Sequence, residues 1–290
     1  MRIRGTAAVV SLPLALALAA CAPAEEEPDA GSTPTAEVTD PAECAADKVM
    51  SAGTLTVGTD SPAYEPWFAD NDPSNGRGFE SAVAYAVAEK LGFEAADVEW
   101  VKVPFNNSYA PGAKKFDFDI NQISITEERK KVVDFSEGYY EPTQAIVALK
   151  DSAAAKVADL DALKDFKLGA QTGTTSLTAV REEVEPTAQP LVFEDTNAAK
   201  QALLNGQVDA IVADLPTALY ISAAEIEGST VMGQFAYEDD ATEEFGLLFE
   251  KGNALVGCVD AALAELGEDG TLAALEQEWL SETADVPVLD

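Results

Sequence analysis

Four stretches of this chain carry side chains that could do chemistry on a small polar molecule. Gly58-Thr59-Asp60-Ser61-Pro62-Ala63-Tyr64-Glu65-Pro66-Trp67-Phe68 sets an acid and several aromatics on the loop after a strand-like run. In α/β proteins the crevice beyond the carboxyl ends of strands is where ligands bind. As a Pro-braced turn whose aromatics cap a core, the same residues need no ligand. In Ser124-Ile125-Thr126-Glu127-Glu128-Arg129, Thr126 stands as a helix N-cap, which puts Arg129 in the first turn. A cation there opposes the helix dipole. Either Arg129 pairs with a neighbouring Glu at the surface, or it is a planar fork held for bidentate capture of a carboxylate. Gly169-Ala170-Gln171-Thr172-Gly173-Thr174-Thr175-Ser176 reads as strand, glycine turn and helix start, where free backbone N–H groups attract an anion. No Gly-Lys-[Ser/Thr] follows, so a carboxylate suits it better than a phosphate. Asp214 follows a strand in Val-Ala-Asp-Leu-Pro, and an N-cap role accounts for it as well as a ligand contact does.

Composition removes most competing chemistries. The chain has 290 residues, no histidine, and 52 acidic against 18 basic residues, a net charge of −34. Without imidazole there is no His-based triad, no HExxH-type metal site and no imidazole proton shuttle. A surface so negative repels phosphate backbones, which excludes nucleic acid as a partner. No segment calls for a cofactor or metal.

The elements that must position these residues alternate. Strands are predicted at 54–59, 98–103, 118–122, 144–149, 167–170, 210–213 and 245–249. Helices are predicted at 81–91, 160–164, 176–184, 197–204, 216–224, 254–266 and 272–280, with Gly92 a stop and Asn253 a start. Strands alternating with helices argue an α/β protein with mostly parallel sheets.

The first forty residues read differently. Met1-Arg2-Ile3-Arg4 is a basic start, and the apolar run from Thr6 to Ala20 is too short to span a bilayer. Basic, then apolar, then small residues is the order of a secretory signal, predicted over 1–20. Leu18-Ala19-Ala20-Cys21 resembles the lipobox of bacterial lipoprotein signals, which implies acylation of Cys21 and an anchor on the outer face of the cell membrane. Residues 21–43 are then a lipid-anchored, disordered acidic tether, lacking aromatic and basic residues. An exported chain with Cys44 and Cys258 left over is expected to join them in a disulfide.

The run GTLTVGTD, GFES, FDFDINQISITEERKKVVDFSEGYY, LGAQTGTTS, GQVDAIVADLPTALY, FGLLFEKGN and DGTL resembles the family 3 extracellular solute-binding proteins, from about Thr54 to Trp279. These are the amino-acid receptors of bacterial ABC importers. The resemblance implies a two-lobed, periplasmic-binding-protein-like α/β fold that closes on its ligand, with two hinge crossings near 142–145 and 236–244. The first lobe would comprise 44–143 and 245–290, and the second, with its crossings, 144–244. It implies Arg129 as the α-carboxylate clamp, helped by the N–H groups of Ser124 and Thr174. Asp214 would take the α-ammonium with the Ser124 hydroxyl and the Gln122 carbonyl. Tyr64 would cover the ligand and Asp60 would face its side chain. Asn121 and Gln122 stand where the family carries Ala, Gly or Ser, and Ala82 where it carries Asp. Two amides on the cleft floor suggest a small polar amino acid, whereas Asp60 would suit a cationic side chain instead, although the family carries an acid there with many ligands. The partners implied are that ligand and a membrane permease, with the receptor a monomer. The alternatives are an exported dehydratase-type enzyme on the same fold, with Asp60 or Glu65 as general acid, and a ligand-sensing module.

Overall fold

In the computed structural model of the protein, the described residues are 38–237, 242–280 and 286–289. The leader, Cys21 and the tether as far as residue 37 lie outside them.

Two five-stranded sheets organise the chain. The first contains β1 (Leu55–Thr59), β2 (Val98–Lys102), β3 (Phe118–Asp119), β4 (Val133–Tyr140) and β10 (Phe245–Glu250), in the order β2-β1-β3-β10-β4. The second contains β5 (Gln144–Leu149), β6 (Leu168–Gln171), β7 (Leu191–Phe193), β8 (Ala210–Asp214) and β9 (Ser229–Phe235), in the order β7-β6-β8-β5-β9. Each sheet has three parallel strands, β2-β1-β3 and β7-β6-β8, finished by an antiparallel pair. The chain passes between sheets from β4 to β5 and again from β9 to β10. This is the expected two-lobed α/β architecture.

The strands are apolar because both faces are covered. Along β5, Ile146 and Ala148 join one core with Leu168, Ala210 and Val212, while Ala145 and Val147 join the opposite one with Leu203 and Ile211. In the first lobe Trp67, Phe68, Phe79, Phe118, Phe245 and Phe249 are fully buried together, under the helices α2 (Phe79–Lys90), α8 (Val256–Glu268) and α9 (Thr271–Leu280). Further short helices stand at the strand ends: α3 (Phe105–Ser108), α4 (Glu127–Lys130), α5 (Thr175–Ala179), α6 (Thr196–Leu204) and α7 (Leu215–Tyr220).

Several expectations change. The tether is expected to run disordered to Glu43, but Asp40 caps a short helix, α1 (Pro41–Ala45), by accepting from the backbone of Ala42 and Glu43. An Asp-Pro start is a helix signal in its own right. That helix carries Cys44, bonded to Cys258 on α8 with the Cα atoms 5.5 Å apart. The strand expected over 118–122 stops at Asp119, because Gln122 turns into the left-handed region at φ +48. The helix expected over 160–164 is a single tight turn, Asp161–Leu163.

The last described residues do not belong with the first lobe, where 245–290 was expected to lie. Val288 pairs with Gln234 of β9, and Leu289 donates its N–H to the Gln234 carbonyl at 2.8 Å. The Leu289 side chain sits in the second lobe's core. Gly233 admits it, since a Cβ there would lie 2.4 Å from Leu289 Cγ. Strand β9 is the sheet edge, and an unpaired edge takes whatever strand reaches it.

Candidate ligand-binding site

A cavity of about 60 Å³ lies between the two sheets, where their parallel strands end. Asp60, Tyr64, Asn121 and Gln122 line it from the first lobe, and Gln171, Thr174, Thr196, Asp214 and Thr217 from the second. At about 10–15 Å³ per water centre it holds on the order of five waters, the bulk of a small amino acid.

Each wall is built by local structure. Asp60, just past β1, spends both oxygens on backbone: Oδ1 accepts from Ser61 N at 2.6 Å and Oδ2 from Phe105 N at 3.0 Å. That ties the loop to α3. The Tyr64 ring lies beneath Lys200 of α6, whose Nζ is 5.5 Å from the ring centroid and 2.6 Å from Glu225 Oε1. Burial, and then the Asp195 carboxylate, raise the Tyr64 phenol, so it stays neutral. The aromatics after Asp60 divide their work, since Trp67 and Phe68 are core while Tyr64 faces the cavity.

On the floor, Gln122 is spoken for. Its backbone N–H donates to Glu80 Oε1 at 2.6 Å and its side-chain amide nitrogen to Glu80 Oε2. Tyr139 donates its hydroxyl to the same carboxylate at 2.5 Å. Glu80 is wholly buried on α2, and withdrawal from water pushes its carboxyl up to about 7 against the pull of those three bonds. Of the two amides expected to serve a ligand, Gln122 is therefore anchored from below. Asn121 Nδ2, buried and without a partner, is the one with a donor to spare.

Gly173 brings the second lobe close. Its φ is +76, and a Cβ there would stand 2.2 Å from Asn106 Oδ1 of α3 and 2.4 Å from the hydroxyl of Tyr109, just past that helix. The turn delivers Thr174, whose Oγ1 donates to the Gln171 carbonyl and accepts from Leu177 N as the cap of α5. Asp214 occupies the N-cap position of α7 but caps nothing with its side chain. Its Oδ1 accepts from Gln144 Nε2 at 2.9 Å. Loss of water and the nearby Glu243 push this carboxyl up to about 8.

Five of the seven residues expected at the ligand, Asp60, Tyr64, Gln122, Thr174 and Asp214, thus share one cavity, while Ser124 and Arg129 line neighbouring cavities instead. Thr126 does cap α4, accepting from Arg129 N at 3.2 Å. The Arg129 fork, expected to open onto the ligand, instead donates to two backbone carbonyls: Nη1 to Ser124 O at 2.6 Å and Nη2 to Gly173 O at 2.8 Å. It is 8% exposed, with its Cζ 4.8 Å from the Tyr109 ring centroid, and it borders a separate cavity with Thr174 and Arg181. Burial lowers its pKa, but a guanidinium remains charged. Neither surface pairing with a Glu nor an open fork describes it, for it is a buried cation bridging the lobes through carbonyls. The Ser124 hydroxyl donates to Glu243 Oε1 at 2.7 Å.

Sequence reasoning passed over Glu80, Gln144, Lys200 and Glu243. Glu243 lies in Glu-Asp-Asp-Ala-Thr-Glu-Glu, which reads as a solvated acidic run, and only the fold turns it inward.

The sequence profile of the bacterial extracellular solute-binding proteins, family 3, matches residues 55–282. An L-cystine-binding protein of Escherichia coli strain K12 is 33% identical over 236 residues, covering 80% of this chain and 84% of the relative. An ABC transporter glutamine-binding protein of Bacillus subtilis strain 168 is 31% identical over 220 residues, covering 74% and 77%. Among solved structures, an ancestral arginine-binding protein bound to glutamine superposes with a TM-score of 0.66 at 34% identity, covering 79% of this chain and 99% of that one. An ancestral amino acid-binding protein described as a precursor of cyclohexadienyl dehydratase gives 0.64 at 35%, covering 78% and 95%.

Proposed function

The chain belongs to the family 3 bacterial extracellular solute-binding proteins, and from that membership we propose that it captures a small polar amino acid between its two lobes and hands it to the membrane permease of an ABC importer. The observation that carries this reading is the cavity itself, shared by both lobes, with Asp214 on one wall and Arg129, outside the lining, donating to the carbonyls of Ser124 and Gly173. A zwitterion needs one anion and one cation about a ligand's width apart, away from bulk water. Asp214 meets the ammonium. Arg129 spends one N–H of each terminal nitrogen on a carbonyl, and the second N–H of each serves the carboxylate once the lobes rearrange around a ligand. Thr174, Thr196, Thr217 and Asn121 give the side-chain end its polar character.

The described residues of the two crossings, 141–143 and 236–237 with 242–244, serve as the hinges, and the lobes are 44–140 with 245–280, and 144–235 with 286–289. Neither lobe completes the site, so ligand favours closure by its differential affinity. Moving a lobe equilibrium from mostly open to mostly closed takes about 5 kcal/mol, and micromolar binding supplies about 8. An acylated Cys21 and the acidic tether would hold the receptor beside the permease on the outer membrane face. A dehydratase using Asp60 as acid fits less well, because both Asp60 oxygens are tied to backbone donors.

The test is to unfold and refold the protein, shedding bound ligand, and to melt it against each amino acid. Ligand at a thousand times its dissociation constant adds about 4 kcal/mol. A raised melting temperature with one or a few small polar amino acids is expected. No rise with any amino acid would overturn the reading.

A further inference from the structure

Glu243 stands on the second crossing, two residues before β10, with its carboxylate turned inward and 7% of its surface exposed. Oε1 accepts from the Ser124 hydroxyl at 2.7 Å, and Oε2 from Gln144 Nε2 at 3.0 Å. The same nitrogen donates to Asp214 Oδ1 at 2.9 Å. One buried amide therefore holds two carboxylates, their oxygens within about 6 Å of one another. Ser124 belongs to the first lobe and Asp214 to the second. Gln144 opens β5 directly after the first crossing, so Glu243 links both lobes and both crossings.

Little charge is available to neutralise the pair. Facing it are Arg129 from α4, already committed to carbonyls, Glu80 from α2, and Tyr139 and Tyr140 from β4. Glu127, Lys130, Tyr237 and Glu244 line a second cavity, of about 290 Å³, that Glu243 also lines. Two carboxylates so close, in poor contact with water, do not both ionise readily.

Resting on the amino-acid reading, we propose that Glu243 is a positioning residue of the ammonium subsite. Its carboxylate, held on the same amide as that of Asp214, keeps a proton on the Asp214 carboxyl while no ligand is bound, and that proton passes to water when the ligand's ammonium arrives. The incoming cation takes over the proton's role, no covalent bond changes except O–H, and the crossing that carries Glu243 senses occupancy. Capture then releases a proton below about pH 8, the range in which Asp214 is held protonated. Affinity rises with pH up to that point and is flat above it.

The first test needs no ligand. Carbon-13 titration of the side-chain carboxyls in the refolded protein should show Asp214 losing its proton in a step between about pH 6 and 9. An Asp214 carboxyl ionised throughout that range would overturn the proposal without any variant. In Glu243→Gln the Asp214 midpoint should fall by about one pH unit or more, and an unchanged midpoint would overturn it too. The second test is calorimetry at pH 7, in two buffers of different ionisation enthalpy, with whichever amino acid most raises the melting temperature. Wild type should release about 0.9 proton per ligand and Glu243→Gln about half a proton or less; equal release from both would contradict the pair. Should no amino acid bind, the capture reading fails, while the carboxyl titration still decides the pair.

Discussion

Trp67 of the first lobe donates its indole N–H to the Thr217 hydroxyl of the second at 2.8 Å. The ring is fully buried in the first lobe's core, edge-on to Tyr140 and Phe79, so the donor is held rigidly at the lobe boundary. Thr217 stands on α7, three residues past Asp214, and lines the cavity. The bond exists only when the lobes are together, which makes it a direct contributor to closure.

Thr217→Val keeps the shape and removes the acceptor. A neutral hydrogen bond contributes about 0.5–1.5 kcal/mol, so amino-acid affinity should fall about 2- to 12-fold with a nearly unchanged melting temperature. Calorimetry beside a thermal melt checks this, and a full melt shift without an affinity change would place the bond's role in folding instead.

Glu80 supplies a pH dependence. Its carboxyl is pushed up to about 7 from 4.5 by burial, so the folded state binds the proton more tightly than the unfolded chain. Stability from this group is therefore greatest below about pH 4.5 and falls as pH rises toward 7, by about 3 kcal/mol in all. Denaturant unfolding at several pH values should show that slope in wild type and a shallower one in Glu80→Gln.

The Cys44–Cys258 bond closes a loop of 214 residues and joins the first short helix to α8, both in the first lobe. Replacing both cysteines by serine should cost about 3–5 kcal/mol of stability. Affinity should hold, because neither cysteine lines the cavity. Urea midpoints and calorimetry separate the two effects.

Leu289 is 5% exposed in the second lobe's core. Leu289→Ala should cost about 2–5 kcal/mol. A near-neutral result would mean that the Val288 pairing, not the side chain, holds this segment.

How much of this was legible in the sequence depended on whether a residue's role was local. Gly173 and Thr126 announce their turn and cap within a few residues, and both stand as read. Asp214 was read as either a cap or a ligand group, and it holds the cap position while spending its carboxylate elsewhere. Strands β4 and β9 escaped notice because Gly138 and Gly233 interrupt their apolar alternation, and the register shifts beside both. Glu80, Glu243 and Leu289 take their meaning from partners 42 to 119 positions away, or from an edge strand, and no short-range pattern carries that. Arg129 was found by its motif, yet its present partners are carbonyls that no motif names.

Arg129 bears most directly on the central claim, that a zwitterion is held between the lobes. Amino-acid binding by refolded Arg129→Ala should be measured calorimetrically against refolded wild type, with circular dichroism to verify the fold. Removing one partner of a buried charged pair costs about 2–5 kcal/mol, so affinity should fall at least about 30-fold in a folded protein. A folded variant that binds as tightly as wild type would contradict the account.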